Sequence, residues 1–145
     1  MQSTPTRTGM DEPTSAFLEE IRRSRSLPAG CDDLDAARAV FYALLRAETE
    51  QGCRSLAAHF PEELETLWKP ALYRCLRETR GEDAPDPPAT FKDGVRAGMP
   101  EIGDGDARAV AEAVIDALVS RMSAPERNSL ADALPEELRD TLTEA

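Results

Sequence analysis

Apolar residues recur along this chain at intervals of three and four, and no stretch alternates apolar with polar over five or more positions. That period lays them on one face of an α-helix and gives no half-buried strand. Phe17, Leu18 and Ile21 predict a first helix over about 14–26, with Pro13 suited to its opening and Pro28 and Gly30 ending it. Ala36, Val40, Leu44 and Ala47, widened by Phe41 and Leu45, predict a long amphipathic core helix over 33–51, capped by Asp32 and broken at Gly52. A short helix follows with Leu56, Ala57 and Phe60 on its apolar side. The next begins at Pro61-Glu62-Glu63, carries Leu64, Leu67, Trp68, Leu72 and Leu76 to about Thr79, and contains Pro70 as an expected kink.

Residues 81–89 are acidic and proline-rich and read as a linker. Beyond them Thr90 caps a short helix bearing Phe91, Val95 and Met99. After Gly103 and Gly105, Val110, Val114, Ile115, Leu118, Val119 and Met122 predict a long helix over 106–122. Ser123 and Glu126 have the spacing of a capping box for a helix carrying Leu130, Ala131 and Leu134, and a last helix begins at Pro135. The expected fold is all-α. Residues 1–13 form a disordered tail and residues 14–145 a single helical domain.

The halves of that domain resemble each other. Asp35–Val40 is similar to Asp106–Val110, and Ser55–Leu64 to Ser129–Leu138, with Pro-Glu-Glu-Leu closing both of the latter. The order of helices is the same on either side of the linker. We therefore expect a helical bundle of two pseudo-symmetric repeats of three or four helices, one over about 14–80 and one over 90–143, each covering the other's apolar face. A Phe-Leu opening, an Ala/Arg-rich long helix and a Leu-Ala-x-x-Leu-Pro-Glu-Glu-Leu motif resemble the bacterial domain-of-unknown-function family 2267. The likeness covers roughly 14–143 and is closest at Leu130–Leu138. It implies a compact helical bundle with no catalytic residues to carry over.

Composition narrows the functional classes. Asp and Glu number 28 against 17 Lys and Arg, a formal net charge of -11. Such a chain repels a phosphate backbone unless its cations are segregated, and the runs Arg22-Arg23-x-Arg25 and Arg74-x-x-Arg77-x-x-Arg80 lie among carboxylates, so no nucleic-acid partner is expected. No apolar run approaches the roughly 20 residues that cross a bilayer, and the first residues have no apolar core of a secretory signal. Cys31, Cys53 and Cys75 are odd in number and widely spaced, as free thiols of a reducing cytoplasm are.

Candidate chemistry is sparse. Glu62-Glu63 and Glu136-Glu137 are paired carboxylates, but each opens a helix, where the dipole favours negative charge. His59, the only histidine, precedes Glu62 by three residues. A bundle metal site wants Glu-x-x-His in the opposite order, twice. A small metal-dependent or carboxylate-using enzyme built on His59, Glu62 and Glu63 is the alternative. The reading preferred is a non-catalytic protein–protein interaction or adaptor module, or a self-associating one, with no catalytic residue, metal or cofactor. Its partner-docking candidates are Trp68, Leu72 and Leu76, whose segment has no counterpart in the second half; the other reading of these residues, and the preferred one, is core packing between the two units.

Overall fold

The computed structural model describes residues 12–46, 50–79, 91–99 and 102–133. Most of the expected tail, the linker 81–89, the Thr90 cap and the helix from Pro135 lie outside the described residues. Among those described there are seven α-helices, one 3-10 turn and no strand: α1 Glu12–Arg23, α2 Asp33–Leu45, α3 Glu50–Ala57, the turn Glu62–Leu64, α4 Glu65–Thr79, α5 Phe91–Gly98, α6 Asp104–Val119 and α7 Ala124–Ala133.

Local chemistry sets several boundaries. Asp32 accepts a hydrogen bond from the Asp35 N–H at 3.1 Å and opens α2. Ser123 and Glu126 form the reciprocal box that opens α7: the Glu126 N–H donates to Ser123 Oγ at 3.3 Å, and the Ser123 N–H donates to Glu126 Oε1 at 2.9 Å. Gly30, at φ +87, turns the chain from α1 into α2 in a conformation that a Cβ disfavours.

Other boundaries differ from the sequence pattern. α1 starts two residues earlier than expected and ends at Arg23. The helix expected over 33–51 stops at Leu45, and Gly52 lies inside α3 instead of breaking a helix. Arg46 leaves the helical region at ψ 93 while its N–H still donates to the Tyr42 carbonyl. Its side chain forms an ion pair across the fold with Glu78, described below. The Pro61 segment opens as a 3-10 turn before α4 begins at Glu65. α4 runs without interruption through Pro70, with Pro70 on its exposed side. α6 spans 104–119 instead of 106–122, and its end tightens through Arg121 and Met122 N–H groups bonded three residues back, to Leu118 and Val119.

α2 is the centre of the molecule. It touches α1, α3, α4, α5 and α6. Nine of its thirteen residues are buried, and four of those are accounted for by Ala36, Ala37, Ala39 and Val40, all small or β-branched. Small side chains let a helix be approached from several directions. The closest approach is to α5, where a Cβ added to Gly98 would stand 2.8 Å from Ala39 Cβ and 3.0 Å from Ala39 Cα. Val40 and Val110 are both fully buried, so the long-helix stripes of both halves meet in one core. A ladder of aromatic rings threads it: Phe17 to Phe41 at 6.0 Å, Phe41 to Phe60 at 5.3 Å edge-on, and Phe60 to Trp68 at 6.2 Å. α1 and α6 are tied at the rim by Arg121, which donates to Glu20 at 2.8 Å and lies over the Phe17 ring.

Candidate functional site

The two faces of α4 behave oppositely, and the difference follows from its sequence. Leu67, Ala71, Leu72, Cys75 and Leu76 recur at three- and four-residue intervals and are buried. This corrects the expectation that Leu72 and Leu76 form a docking stripe. They face inward because α2 lies along this side of α4. Trp68 is half-buried against the core, and its indole N–H donates to the Pro61 carbonyl at 2.8 Å. With its polar end satisfied and its ring against Phe60, Trp68 joins the 3-10 turn to α4.

The last turns of α4 are anchored by Glu78. Its carboxylate accepts from the Tyr42 hydroxyl, from Arg46 Nε at 3.2 Å and from Arg74 Nε at 3.0 Å. The Arg74 guanidinium also lies 4.1 Å over the Tyr42 ring. Arg46 is the most buried cation of the group, its side chain only 3% exposed. Burial alone would push the Glu78 carboxyl up. The hydrogen bonds from Tyr42 and Arg74, with the charges of Arg74 and Arg46, more than offset it and hold the group below its ordinary value. The same burial and the Glu78 charge push the Tyr42 hydroxyl up to about 12. Burial, with Cys53 and Glu78 adding to it, pushes the Cys75 thiol up to about 12. A thiol protonated through the neutral range is a poor nucleophile, and Cys53 and Cys75 are fully buried.

The outer face of α4 is Thr66, Lys69, Pro70, Tyr73 and Arg77, all exposed. Tyr73 is 51% exposed, the sole large hydrophobic residue so placed among the described residues. Lys69 pairs loosely with Glu65 at 3.6 Å, and Arg77 forms no ion pair among the described residues. Pro70 has no N–H, so the Thr66 carbonyl lacks its usual intrahelical donor. The sequence reading missed this face. Its signal was present: Lys69, Tyr73 and Arg77 stand four residues apart, a cation–aromatic–cation row on the side opposite the leucines.

The residues of the enzymatic alternative are not gathered into one site. Glu62 and Glu63 are exposed on the 3-10 turn, where the Glu63 carbonyl accepts a long, 3.5 Å hydrogen bond from the buried Thr14 hydroxyl. His59 is half-buried and lines an open cavity of ≈ 230 Å³ with Ala58, Pro125, Glu126 and Ser129, without Glu62 or Glu63. Glu126 on that wall is committed to the α7 cap, and the Ser123 backbone and hydroxyl hold its carboxyl below the ordinary range. Among the described residues no group of three or more His, Cys, Asp or Glu is placed to hold a metal ion, and no helix is long and apolar enough to cross a membrane.

No protein-family model, curated protein or solved structure matches this chain.

Proposed function

We propose that this protein is a non-catalytic interaction module of a bacterial cytoplasm, and that it engages its partner through the outer face of α4. The observation that carries the reading is Tyr73, held 51% exposed between cations on a helix whose other side is locked into the core. An exposed aromatic ring on a rigid support gives contact area at low entropic cost, and such residues are typical anchors of protein interfaces. The two-repeat architecture, and with it the resemblance to family 2267, belongs to the same proposal. It is supported by the order α1–α2–α3 and α5–α6–α7, in each of which the middle helix is the longest.

The test is a photo-crosslinking amino acid installed at position 73 in the native organism, with position 108 on the exposed side of α6 as the control. One protein crosslinked from position 73 and absent from position 108 is the expected result. No adduct from position 73, together with turnover of a small molecule that a His59→Ala variant loses, would overturn the proposal in favour of an enzyme.

A further inference from the structure

We infer that the outer face of α4 receives a short acidic helix from a partner protein, one that presents an apolar side chain between two carboxylates. This rests on the docking role proposed for that face and adds the chemistry of its occupant.

Charge is the first argument. The chain carries 28 carboxylate residues against 17 Lys and Arg, so a cation left without a carboxylate is against the prevailing balance. Arg77 is such a cation among the described residues. The Glu65–Lys69 pair is a solvent-exposed contact of 3.6 Å, both side chains 46% exposed. A pair of this kind is worth at most ~1 kcal/mol and exchanges readily for a better carboxylate. A cation near the C-terminal end of a helix complements its dipole, which accounts for Arg77 alone and leaves Tyr73 between it and Lys69 unaccounted for.

Geometry is the second. Lys69, Tyr73 and Arg77 are spaced by four residues, and eight residues of helix rise about 12 Å. A second helix laid along α4 meets this row with carboxylates four positions before and four after an apolar residue, which covers the Tyr73 ring. Rigidity is the third argument. Behind this face Leu72, Cys75 and Leu76 are buried and Glu78 is tied to α2, so the row is held in its binding geometry before any partner arrives.

A polyanion such as single-stranded RNA also pairs basic side chains with stacking on an aromatic ring. The net charge of -11 disfavours it, because a long phosphate chain extends beyond this row onto carboxylate-rich surface. A second copy of this chain carries the same opposing net charge.

The experiment titrates the isotope-labelled full chain with three probes and follows backbone amide shifts. One is a helical peptide with glutamates four residues either side of a leucine, the second is the same peptide with lysines for glutamates, and the third is a single-stranded oligouridine. Shifts confined to the α4 outer face with the glutamate peptide alone, weakened by added salt, are expected. Arg77→Glu and Tyr73→Ala should each weaken that binding about tenfold or more at an unchanged thermal midpoint. Equal or stronger binding of the lysine peptide or the oligouridine on α4 would overturn the acidic-partner inference while leaving a docking face in place. No shift on α4 with any probe would overturn it too, and the crosslinking result at position 73 then decides whether the docking role itself fails. Self-association abolished by Arg77→Glu would assign the face to a second copy and reject a foreign acidic helix.

Discussion

Glu78→Ala is the substitution that most directly probes how α2 and α4 are joined. It removes one acceptor shared by Tyr42, Arg46 and Arg74. The Arg74 share is small, since that side chain is 42% exposed and such pairs contribute ~0–1 kcal/mol. Arg46 is a different case. With its side chain 3% exposed, Arg46 loses one carboxylate from a desolvated charge that has other contacts as well, so the cost lies at or below the about 3–5 kcal/mol of breaking a buried pair outright. The Tyr42 hydroxyl loses a charged acceptor in the same step, a term of ~1.5–3 kcal/mol that overlaps with the Arg46 loss. A total near 4 kcal/mol is expected, a large part of the ~5–15 kcal/mol that holds an ordinary domain together. Glu78→Gln keeps an acceptor for Tyr42 but not the charge, and should cost roughly half as much. Urea unfolding monitored by the fluorescence of Trp68, the single tryptophan, measures both. A double-mutant cycle with Arg46→Ala isolates the pair, and a coupling above ~1 kcal/mol is expected. A loss below ~1 kcal/mol for Glu78→Ala, or a coupling within ~0.5 kcal/mol of zero, would refute the reasoning.

The titration directions give two linked expectations. The Glu78 carboxyl is held below its ordinary 4.5, so its contribution is present above that pH and lost as pH falls through the lower folded value; acid unfolding curves of Glu78→Gln should lack this component. Tyr42 and Cys75 rise from 10.0 and 9.0 to about 12, so their contribution is intact below about pH 9 and is lost as pH rises towards 12, a loss that Tyr42→Phe should lessen in thermal melts. Gly98→Ala drives a Cβ to 2.8 Å from Ala39 Cβ and should cost about 1–3 kcal/mol by forcing α2 and α5 apart; Ala39→Gly in the same chain should restore part of the lost Tm, and no restoration would place the strain elsewhere. Asp32→Ala removes the cap of α2 and should lower stability by about 1 kcal/mol in urea titrations.

What could be read from the sequence was what short-range chemistry decides. Asp32 and the Ser123–Glu126 box announce their helices because donor and acceptor lie three residues apart. The stripes through Val40 and Val110 announce their burial because the period of the helix fixes the face. The end of α2 could not be read, since the apolar period continues into Ala47 and Glu78, the ion-pair partner of Arg46 at that end, lies 32 positions further on. The Tyr42–Glu78 bond spans 36 positions and leaves no local trace. The leucines of α4 drew attention as a docking stripe because apolarity alone does not say which side a neighbouring helix covers. Position of α2 settles that, and it moves the candidate surface to Tyr73 on the other side.

The many-sided burial of α2 has a consequence for how the chain is made. Synthesis delivers α2 at residues 33–45, but α5, which packs against it most closely, begins only at Phe91. At ~5–20 residues per second the interval is on the order of 2–10 s. Throughout it a helix rich in alanine, leucine and aromatic side chains has one flank without its neighbour. A nascent chain in that condition is a natural client for ribosome-associated chaperones, and codons that slow translation between 46 and 90 would lengthen its exposure and lower the yield of folded protein.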